Sequence, residues 1–476
     1  MDETIIPLAA DFAPATADDW LSLVGKTLKG AGVETLRSLT ADGLTIKPLY
    51  TAADATISVE FHPAPRGGDR AWDIRAIVAH PEYGSANSQV LEHLNGGASS
   101  ILLRVGSGGT ALTSADDLGR VLDGVVLELA AVTVDAGFMG PIVADWLATV
   151  AKAAPNALLA FHLDPLTAFA TAGTSPGPIE AHLIASANLA ARLAQPYPKA
   201  SLFLASGKFV HEAGGTPAWE LASALAASVA YAKALVRAGL SQSDAFARIV
   251  LGLAIDADAI ASTVKLRAAR VLWSKVTAAC GVDVPAQIEA RSSDRMLTCA
   301  DPWTNLIRLT SAAFAGAVGG ADAMALANFT DALGLPSPLA RRLARNTQLV
   351  LMEEANVGAV ADPSAGAWAI EAQTDELARA AWSHFTAMES AGGLVEALRA
   401  GMLANAAEAG RTSLKAAIAA KAIRVLGVTD FPNASPTAPE IDSAAQPSAS
   451  GPEPRLPGPD SHCPAMNPVR IEELAA

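Results

Sequence analysis

Hydrophobic and polar positions follow two periods along residues 72–433. A short run rich in Val, Ile and Leu is followed by a loop with Gly, Asp or Pro, and then by a longer segment at helical period. Runs that are apolar on both faces are typical of a parallel sheet covered by helices. The predicted strands are Ile74–Ala79, Ile101–Val105, Ala131–Ala136, Leu158–His162, Leu202–Ser206, Ile249–Ile255, Asp294–Thr298 and Ala323–Asn328.

The longer segments between these strands predict helices, among them Pro217–Ala238 and Ala257–Ala279. Thr216 is the predicted N-cap of the first, and Pro217 occupies its first position. Eight strand–helix units predict an α/β fold, a (β/α)8 TIM barrel with insertions. An open doubly wound sheet has the same periodicity, so the pattern alone leaves that alternative open.

Two segments lie outside the predicted barrel. Residues 1–71 contain a short amphipathic helix at Trp20–Gly30 and are too few to bury a stable core alone. In residues 434–476, nine of 43 residues are Pro, and this composition predicts an extended, weakly ordered tail. Its last part, Pro468–Leu474, has a sequence suited to docking on a surface. The predicted organisation is an N-terminal arm (1–71), a barrel (72–433) and a tail (434–476).

Composition and charge exclude several classes of protein. The net charge of −14 and the lack of a basic cluster argue against binding nucleic acid or an anionic membrane. The N-terminus has no basic region followed by an apolar core, and no window is apolar enough to span a bilayer. Cys280, Cys299 and Cys463 form no CxxC motif and fit a reducing compartment, so a cytoplasmic location is expected.

A helix at Arg341–Glu354 (RRLARNTQLVLMEE) carries Asn346, Thr347 and Gln348 in a row. These residues lower helix propensity, so they are expected to pack against a neighbour. Together with KLRAARVLW, ADPWTNLIRLT and DPSAGAWAIE, this motif resembles the acyl-CoA mutases that use adenosylcobalamin, the family of methylmalonyl-CoA mutase. Those three motifs stand at Lys265–Trp273, Ala300–Thr310 and Asp362–Glu371. The resemblance runs from about Trp20 to Asn433, and it implies the barrel and an arm that lies on another subunit.

The sequence departs from active mutases after the fifth strand. Active members carry a Ser-Gly-Tyr-His run there, and its tyrosine and histidine reach the substrate at the mouth of the barrel. This chain has Lys208 at the tyrosine position and Phe209 at the histidine position. Phenylalanine neither donates a hydrogen bond nor carries a proton, so that role is lost. His211 follows two residues later and is expected to pack at the rim of a vestigial pocket with Lys208 and Phe209.

A second departure follows the second strand. Val90–Asn95 (VLEHLN) stands where active members have a Tyr-Arg-Arg-Asn-Leu run, and their long loop shrinks here to Gly106–Thr110 (GSGGT). The glycines could be mistaken for a phosphate cradle, but no Lys-Ser/Thr pair follows them and Ser114–Asp117 is acidic. A plain tight loop is the preferred interpretation.

The cobalamin-binding part of active mutases is also not recognisable. In them a linker is followed by a Rossmann-like domain with the motif Asp-x-His-x-x-Gly, whose histidine binds cobalt. Here the linker motif Gly427–Asn433 (GVTDFPN) is followed by 43 residues, fewer than such a domain needs. Asp460–His462 form an Asp-x-His triplet, but Ala465 replaces the glycine. No catalytic, cofactor-binding or metal-binding residue is therefore expected on this chain.

Other polar residues have simpler interpretations. Asp135 and Asp164 lie near strand ends, where capping or loop roles are favoured because no histidine or metal cluster stands beside them. The eight histidines show no metal-ligand spacing. Lys265, Arg267 and Arg270 share one helix; contact with the phosphates of CoA is conceivable, but structural ion pairs are favoured.

The resemblance implies the small (beta), non-catalytic subunit of a heterodimeric mutase. The large (alpha) subunit of such an enzyme holds adenosylcobalamin and interconverts (R)-methylmalonyl-CoA and succinyl-CoA, so the complex is an isomerase of propionate metabolism. Two alternatives remain open. One is a catalytic barrel subunit that uses a separate cobalamin-binding chain, and the other is an assembly scaffold.

Overall fold

Eight parallel strands close into a barrel in the computed structural model, which describes residues 13, 15–54, 70–106, 108–154, 156–435, 437–443 and 454–475. Each strand pairs with the next along the chain, and the last pairs with the first through Ala323–Asp73 and Met324–Ile74. The predicted (β/α)8 barrel is confirmed, and the open doubly wound sheet is wrong. The strands are β1 (Asp73–Val78), β2 (Ser100–Arg104), β3 (Ala131–Asp135), β4 (Leu159–Leu163), β5 (Ser201–Ser206), β6 (Ile249–Ile255), β7 (Ile288–Ser292) and β8 (Ala323–Ala325).

One predicted strand is wrong. Asp294–Thr298 is a loop, and the seventh strand is β7, directly before it. All five residues of β7 are buried. Glu289 and Arg291 alternate with Ile288 and Ala290 and form ion pairs inside the barrel. Strands were predicted from runs that are apolar on both faces, and a strand with charges on its inner face does not have that pattern.

Helices cover the outside of the barrel and confirm the helical segments named above, with small shifts of their ends. They are α1 (Ala17–Thr27), α2 (Tyr83–Asn95), α3 (Ala115–Val121), α4 (Gly140–Val150), α5 (Pro165–Ala172), α6 (Ile179–Ala194), α7 (Lys208–Glu212), α8 (Pro217–Arg237), α9 (Gln242–Ala247), α10 (Ala259–Ala279), α11 (Asn305–Val318), α12 (Pro338–Leu349), α13 (Trp368–Ser390), α14 (Leu394–Arg399), α15 (Met402–Ala419) and α16 (Ile471–Ala475). A π-helical turn, Val350–Glu354, continues α12. Within the described ranges, no helix is long and apolar enough to cross a membrane.

The N-terminus of α8 is capped from a distance. Thr216 stands at the N-cap position, but its hydroxyl accepts no hydrogen bond from the helix, so the predicted cap is wrong in its chemistry. The carboxylate of Asp42 accepts the bond from the Ala218 N–H instead, at 3.2 and 3.3 Å. Part of the N-terminal region therefore lies on the barrel of its own chain. By contrast, α1 begins with a capping box at Thr16 and Asp19 and buries none of its side chains.

Two of the sequence motifs meet through Arg267 on α10. Its guanidinium pairs with Asp362 and, at 2.7 Å, with Glu371 at the start of α13. Lys265 pairs with Glu220 at 2.6 Å, and Arg270 pairs with Asp322 at 2.9 Å. The structural ion pairs favoured for these three cations are confirmed.

Gln348 of the polar run on α12 makes a hydrogen bond to the start of the barrel. Gln348 accepts a hydrogen bond from Trp72 Nε1 at 3.3 Å, just before β1. Thr347 instead donates its hydroxyl hydrogen bond to the Leu343 carbonyl of its own helix, at 2.9 Å. The expected packing against a neighbour is thus confirmed for Gln348.

The C-terminal tail lies on the barrel over residues 454–475. Its short strand Ser461–His462 pairs antiparallel with Thr174–Ser175, the segment between α5 and α6. Ile441–Asp442 pairs in the same manner with Leu335–Pro336. The predicted weak order is wrong for residues 454–475, because each of these pairings satisfies backbone groups that a free extended chain leaves to water. Residues 444–453 of the tail are outside the described residues.

Candidate functional site

The carboxyl ends of the eight strands meet at one end of the barrel, which we call the mouth. Barrel enzymes place their catalytic groups at this end. A cavity of about 470 Å³ lies there. Its polar lining comes from His80, Gln89, Arg104, Glu212, Asp294, Asn328 and Asp331, and the tail adds Pro468, Val469, Arg470 and Glu473.

Lys208 is held at the mouth by two carboxylates. It is the first residue of α7, which follows β5, and its Nζ lies 2.7 Å from Asp294 and 2.8 Å from Glu212. Burial alone would lower the pKa of Lys208, but these two carboxylates raise it above its ordinary value. The amine is therefore a charged structural group and is not available as a base.

Phe209 and His211 do not face the mouth as a pair. Phe209 is 4% exposed and belongs to the apolar core. His211 is 1% exposed, and its Nε2 lies 2.7 Å from the Ser293 hydroxyl. Because the chain turns into α7 after Ser206, the extended geometry ends before either residue. The ring of His211 is buried beside Ser293, just after the end of β7, and burial lowers its pKa.

Arg104 and Asp331 lie in the cavity and were missed by the sequence analysis. Arg104 ends β2, and its guanidinium has no hydrogen bond or ion pair with any residue that the structure describes. Asp331 accepts a hydrogen bond from the Asn328 N–H at 3.0 Å, and burial raises its pKa to about 6. Arg104 opposes that rise through its charge. The only available signal for Arg104 was its position at the end of an apolar strand.

Below the mouth, the barrel interior contains a layer of charged side chains. Barrel interiors are commonly filled by branched apolar residues. Here Glu289 pairs with Arg75 and Arg291, and Arg291 also pairs with Asp135 at 2.7 Å. We call Arg75, Asp135, His162, Glu289 and Arg291 the ion layer. Arg75, His162, Glu289 and Arg291 of this layer are buried, so the charges are compensated inside the barrel and not by water.

His162 is the one neutral side chain of the ion layer. Its Nδ1 lies 3.7 Å from Glu289, beyond hydrogen-bond distance, and neither ring nitrogen has a hydrogen-bond partner among the described residues. Burial lowers the pKa of His162 to about 4, with Glu289 opposing that shift. The residue has a positive φ of 40°, at the irregular register between Ala160 and Leu163. No pattern in the sequence predicts this positive φ.

The loop after β2 is a tight turn, as predicted. The Gly106 N–H donates to the Thr110 carbonyl at 3.1 Å, and the Thr110 N–H donates to the Arg104 carbonyl at 2.8 Å. A Cβ atom on Gly109 would lie far inside van der Waals distance of that Arg104 carbonyl. Glycine is therefore required for the turn, with no phosphate needed to explain it.

The remaining candidates have structural roles. Asp164 caps α5 by accepting the Thr167 N–H at 3.1 Å, as predicted, and it also accepts a hydrogen bond from the Tyr231 hydroxyl at 2.5 Å. Asp135 belongs to the ion layer instead of a cap. His462 is exposed within the short strand of the tail. Among the described residues, no group of three or more His, Cys, Asp or Glu side chains is placed to hold a metal ion.

The fold and the site together define an α/β barrel of enzyme type whose catalytic end is covered by its own chain. The family model described as methylmalonyl-CoA mutase matches residues 95–450. The chain belongs to the methylmalonyl-CoA mutase family.

Relatives of this chain include three small subunits of bacterial mutases. The chain is 37% identical over 457 residues to the methylmalonyl-CoA mutase small subunit of Streptomyces virginiae, covering 90% of this chain and 73% of the relative. It is 39% identical over 422 residues to the probable small subunit of Mycobacterium tuberculosis strain ATCC 25618 / H37Rv, covering 84% and 66%. It is 33% identical over 459 residues to the small subunit of Propionibacterium freudenreichii subsp. shermanii, covering 90% and 70%.

Proposed function

We propose that this chain is the non-catalytic small (beta) subunit of a methylmalonyl-CoA mutase. A small subunit implies a large (alpha) partner, and the expected assembly is a heterodimer in the cytoplasm. In it the partner binds adenosylcobalamin and interconverts (R)-methylmalonyl-CoA and succinyl-CoA. The complex is then an isomerase, and this chain supports its catalytic subunit. The names of the three relatives support this assignment.

One observation supports the non-catalytic role. The residues that stand where the family has tyrosine and histidine both have structural roles here. The positive charge of Lys208 is balanced by Asp294 and Glu212, and Phe209 is packed in the core. Phe209 has no polar atom to bond a thioester carbonyl, and the ammonium of Lys208 is held by Asp294 and Glu212. The vestigial pocket therefore offers no replacement for the lost pair.

The mouth does not fit adenosylcobalamin. Tail residues Pro468–Arg470 line the cavity, and the Val469 N–H donates to the Glu212 carbonyl at 2.8 Å. The space left between the tail and the strand ends is about 470 Å³. A flat macrocycle laid over the strand ends would collide with these tail residues. This arrangement supports placing the cofactor on the partner.

The N-terminal arm is the proposed contact with the partner. Leu21 and Leu23 of α1 are 42% and 62% exposed, although the helix has an amphipathic sequence. An amphipathic helix is stable in a protein when its apolar face is covered. Asp42, by contrast, lies against the barrel, because its carboxylate caps α8. The segment offered to the partner is therefore α1.

The assignment is tested by mixing purified chains. The large subunit alone, this chain alone, and the two together are assayed for formation of succinyl-CoA from (R)-methylmalonyl-CoA with adenosylcobalamin. We expect a stoichiometric complex on gel filtration and turnover only where the large subunit is present. Deleting residues 1–36 should weaken the complex while leaving the melting temperature of the barrel nearly unchanged. The matched control deletes residues 1–12, which precede α1.

Two outcomes would replace the proposal. Turnover by this chain with a separate cobalamin-binding chain, in the absence of a large subunit, would make it a catalytic barrel subunit. If this chain acts only in assembly, the purified large subunit should be active without this chain bound to it.

A further inference from the structure

We propose that residues 454–475, which we call the strap, seal the mouth of the barrel against molecules as large as a corrinoid. The seal rests on the proposed non-catalytic role, for which it supplies a physical cause. The strap crosses from the loop after α5 to the loop after β7, on the end of the barrel where catalytic groups are usually placed.

Backbone hydrogen bonds attach the strap along its whole course. The N–H groups of Leu456, Cys463 and Met466 donate to the carbonyls of Pro176, Gly173 and Ala170, at 3.0, 2.9 and 2.8 Å. Farther on, the N–H groups of Val469 and Ile471 each donate at 2.8 Å to the carbonyls of Glu212 and Arg295. Bonds of this kind, repeated along the segment, fix the register of an extended chain.

Two side chains anchor the strap on either side of the cavity. Met466 is 2% exposed and belongs to the apolar core of the barrel. The carboxylate of Glu472 accepts hydrogen bonds from the N–H groups of Cys299, at 2.9 Å, and Ala300, at 3.2 Å. Met466 therefore holds the strap just before the cavity-lining residues Pro468–Arg470, and Glu472 holds it just after them.

The barrel surface is shaped to receive the strap. At Gly177, which has a φ of 104°, a Cβ atom would meet the Leu456 carbonyl oxygen at 2.5 Å. Ser461 accepts a hydrogen bond from the Ile179 N–H at 3.1 Å and another from Arg399, also at 3.1 Å. Gly177 leaves room for the strap backbone at Leu456, and the N–H of Ile179, at the start of α6, bonds to Ser461 of the strap. This fit distinguishes a built contact from a chance one.

The test measures access to the cavity with a reporter cysteine. Cys280, Cys299 and Cys463 are first replaced in the full chain by Cys280→Ser, Cys299→Ser and Cys463→Ala. Ala79→Cys then places a thiol in the cavity lining. Leu129→Cys, at a 79% exposed position just before β3 and so at the opposite end of the barrel, is the matched control. The probe is a maleimide carrying a long polyethylene glycol chain.

We expect the cavity thiol to react about tenfold or more slowly than the control thiol in the full chain. Ending the chain at residue 453 should remove that difference and leave the control unchanged. Val469→Pro removes one hydrogen-bond donor of the strap, whereas Val469→Ala keeps it. Val469→Pro should therefore speed labelling of the cavity thiol, and Val469→Ala should not.

Equal labelling of the cavity thiol in the full and shortened chains would overturn the seal. If the shortened chain does not fold, as judged by its thermal melt, the Val469 pair decides. Equal rates for Val469→Pro and Val469→Ala then overturn the seal, and a faster rate for Val469→Pro supports it. Labelling measures neither turnover nor partner binding, so a negative result leaves the proposed function standing.

Discussion

The Nζ of Lys265 lies 2.6 Å from the carboxylate of Glu220, with side chains only 2% and 0% exposed. The same carboxylate accepts a hydrogen bond from the Ala254 N–H on β6, also at 2.6 Å. The pair therefore joins α10, α8 and the barrel wall. Since Lys265 belongs to the motif KLRAARVLW, part of the family resemblance reflects a structural contact of the barrel, and that contact needs no catalysis to explain it.

Lys265→Met should lower the free energy of unfolding by about 3–5 kcal/mol, because it leaves the Glu220 charge buried without its partner. Lys233→Met is the matched control, since Lys233 is 59% exposed and pairs with Glu389 at the surface. The control should lose no more than about 1 kcal/mol. Urea unfolding of both variants checks the prediction, and similar losses for the two would contradict it.

Asp164 should make stability depend on pH in a direction opposite to that of most carboxylates. Burial raises its pKa in the folded chain to about 7, while the unfolded value is about 3.9. The folded state therefore holds a proton between these values that the unfolded state has lost. Its contribution to stability is fully present below about pH 4 and is lost as the pH rises through about 7.

Asp164→Asn should remove that dependence. The free energy of unfolding of the unmodified chain, minus that of Asp164→Asn, should decrease between pH 5 and pH 8. Urea unfolding at the two pH values measures this difference. Asp145→Asn, at an exposed position, is the control and should give a difference that changes little. A difference that increases with pH would contradict the assignment of a protonated Asp164.

Restoring the family residues should not restore chemistry. The double variant Lys208→Tyr, Phe209→His should show no conversion of (R)-methylmalonyl-CoA with adenosylcobalamin, because position 209 faces the core and the mouth is covered. The variant should also melt at a lower temperature, since it buries an imidazole among apolar groups and leaves Asp294 without its lysine. Phe209→Leu alone should keep most of the stability. Turnover above that of the unmodified chain would contradict the prediction.

Gly109→Ala should destabilise the chain by about 1–3 kcal/mol, because the new methyl group collides with the Arg104 carbonyl in the turn after β2. Gly32→Ala is the control: no atom lies within 4 Å of a Cβ built there, and its φ of −70° suits alanine. Thermal melts of the two variants measure the contrast. If Gly109→Ala melts like the control, the turn is not as tight as described.

Most of the barrel could be predicted because its strands are buried on both faces. β6 is buried at every position and was predicted with its exact ends, Ile249–Ile255. β7 was missed because its inner face carries Glu289 and Arg291, whose charges are compensated by residues far away in sequence. A period-two pattern that alternates charged and apolar residues was present, but the partners that make it a buried strand are visible only in three dimensions.

The candidate site was predictable only in part. Substitutions at Lys208 and Phe209 are visible in the sequence, and the structure adds where the two side chains go. The position of His211 could not be predicted, because the turn into α7 depends on contacts with Ser293 and with the loop after β7. The docking of residues 454–475 was hidden by their proline-rich composition, which describes the preference of a free chain and not the hydrogen bonds offered by the loops it meets.

The ion layer has a consequence for how this chain acquires its shape. Arg75 enters with the first strand and Glu289 with the seventh, 214 positions later, so the ion pair between them forms only when the sheet closes into a ring, although each also has a partner on its own strand, Asp73 and Arg291. A fragment holding only the first four strands would contain Arg75, Asp135 and His162 without Glu289 and Arg291, so the ion pairs that Arg75 and Asp135 make with the seventh strand could not form. Such half-barrels should be poor folding units, and gene duplication or splitting at the midpoint should yield insoluble products.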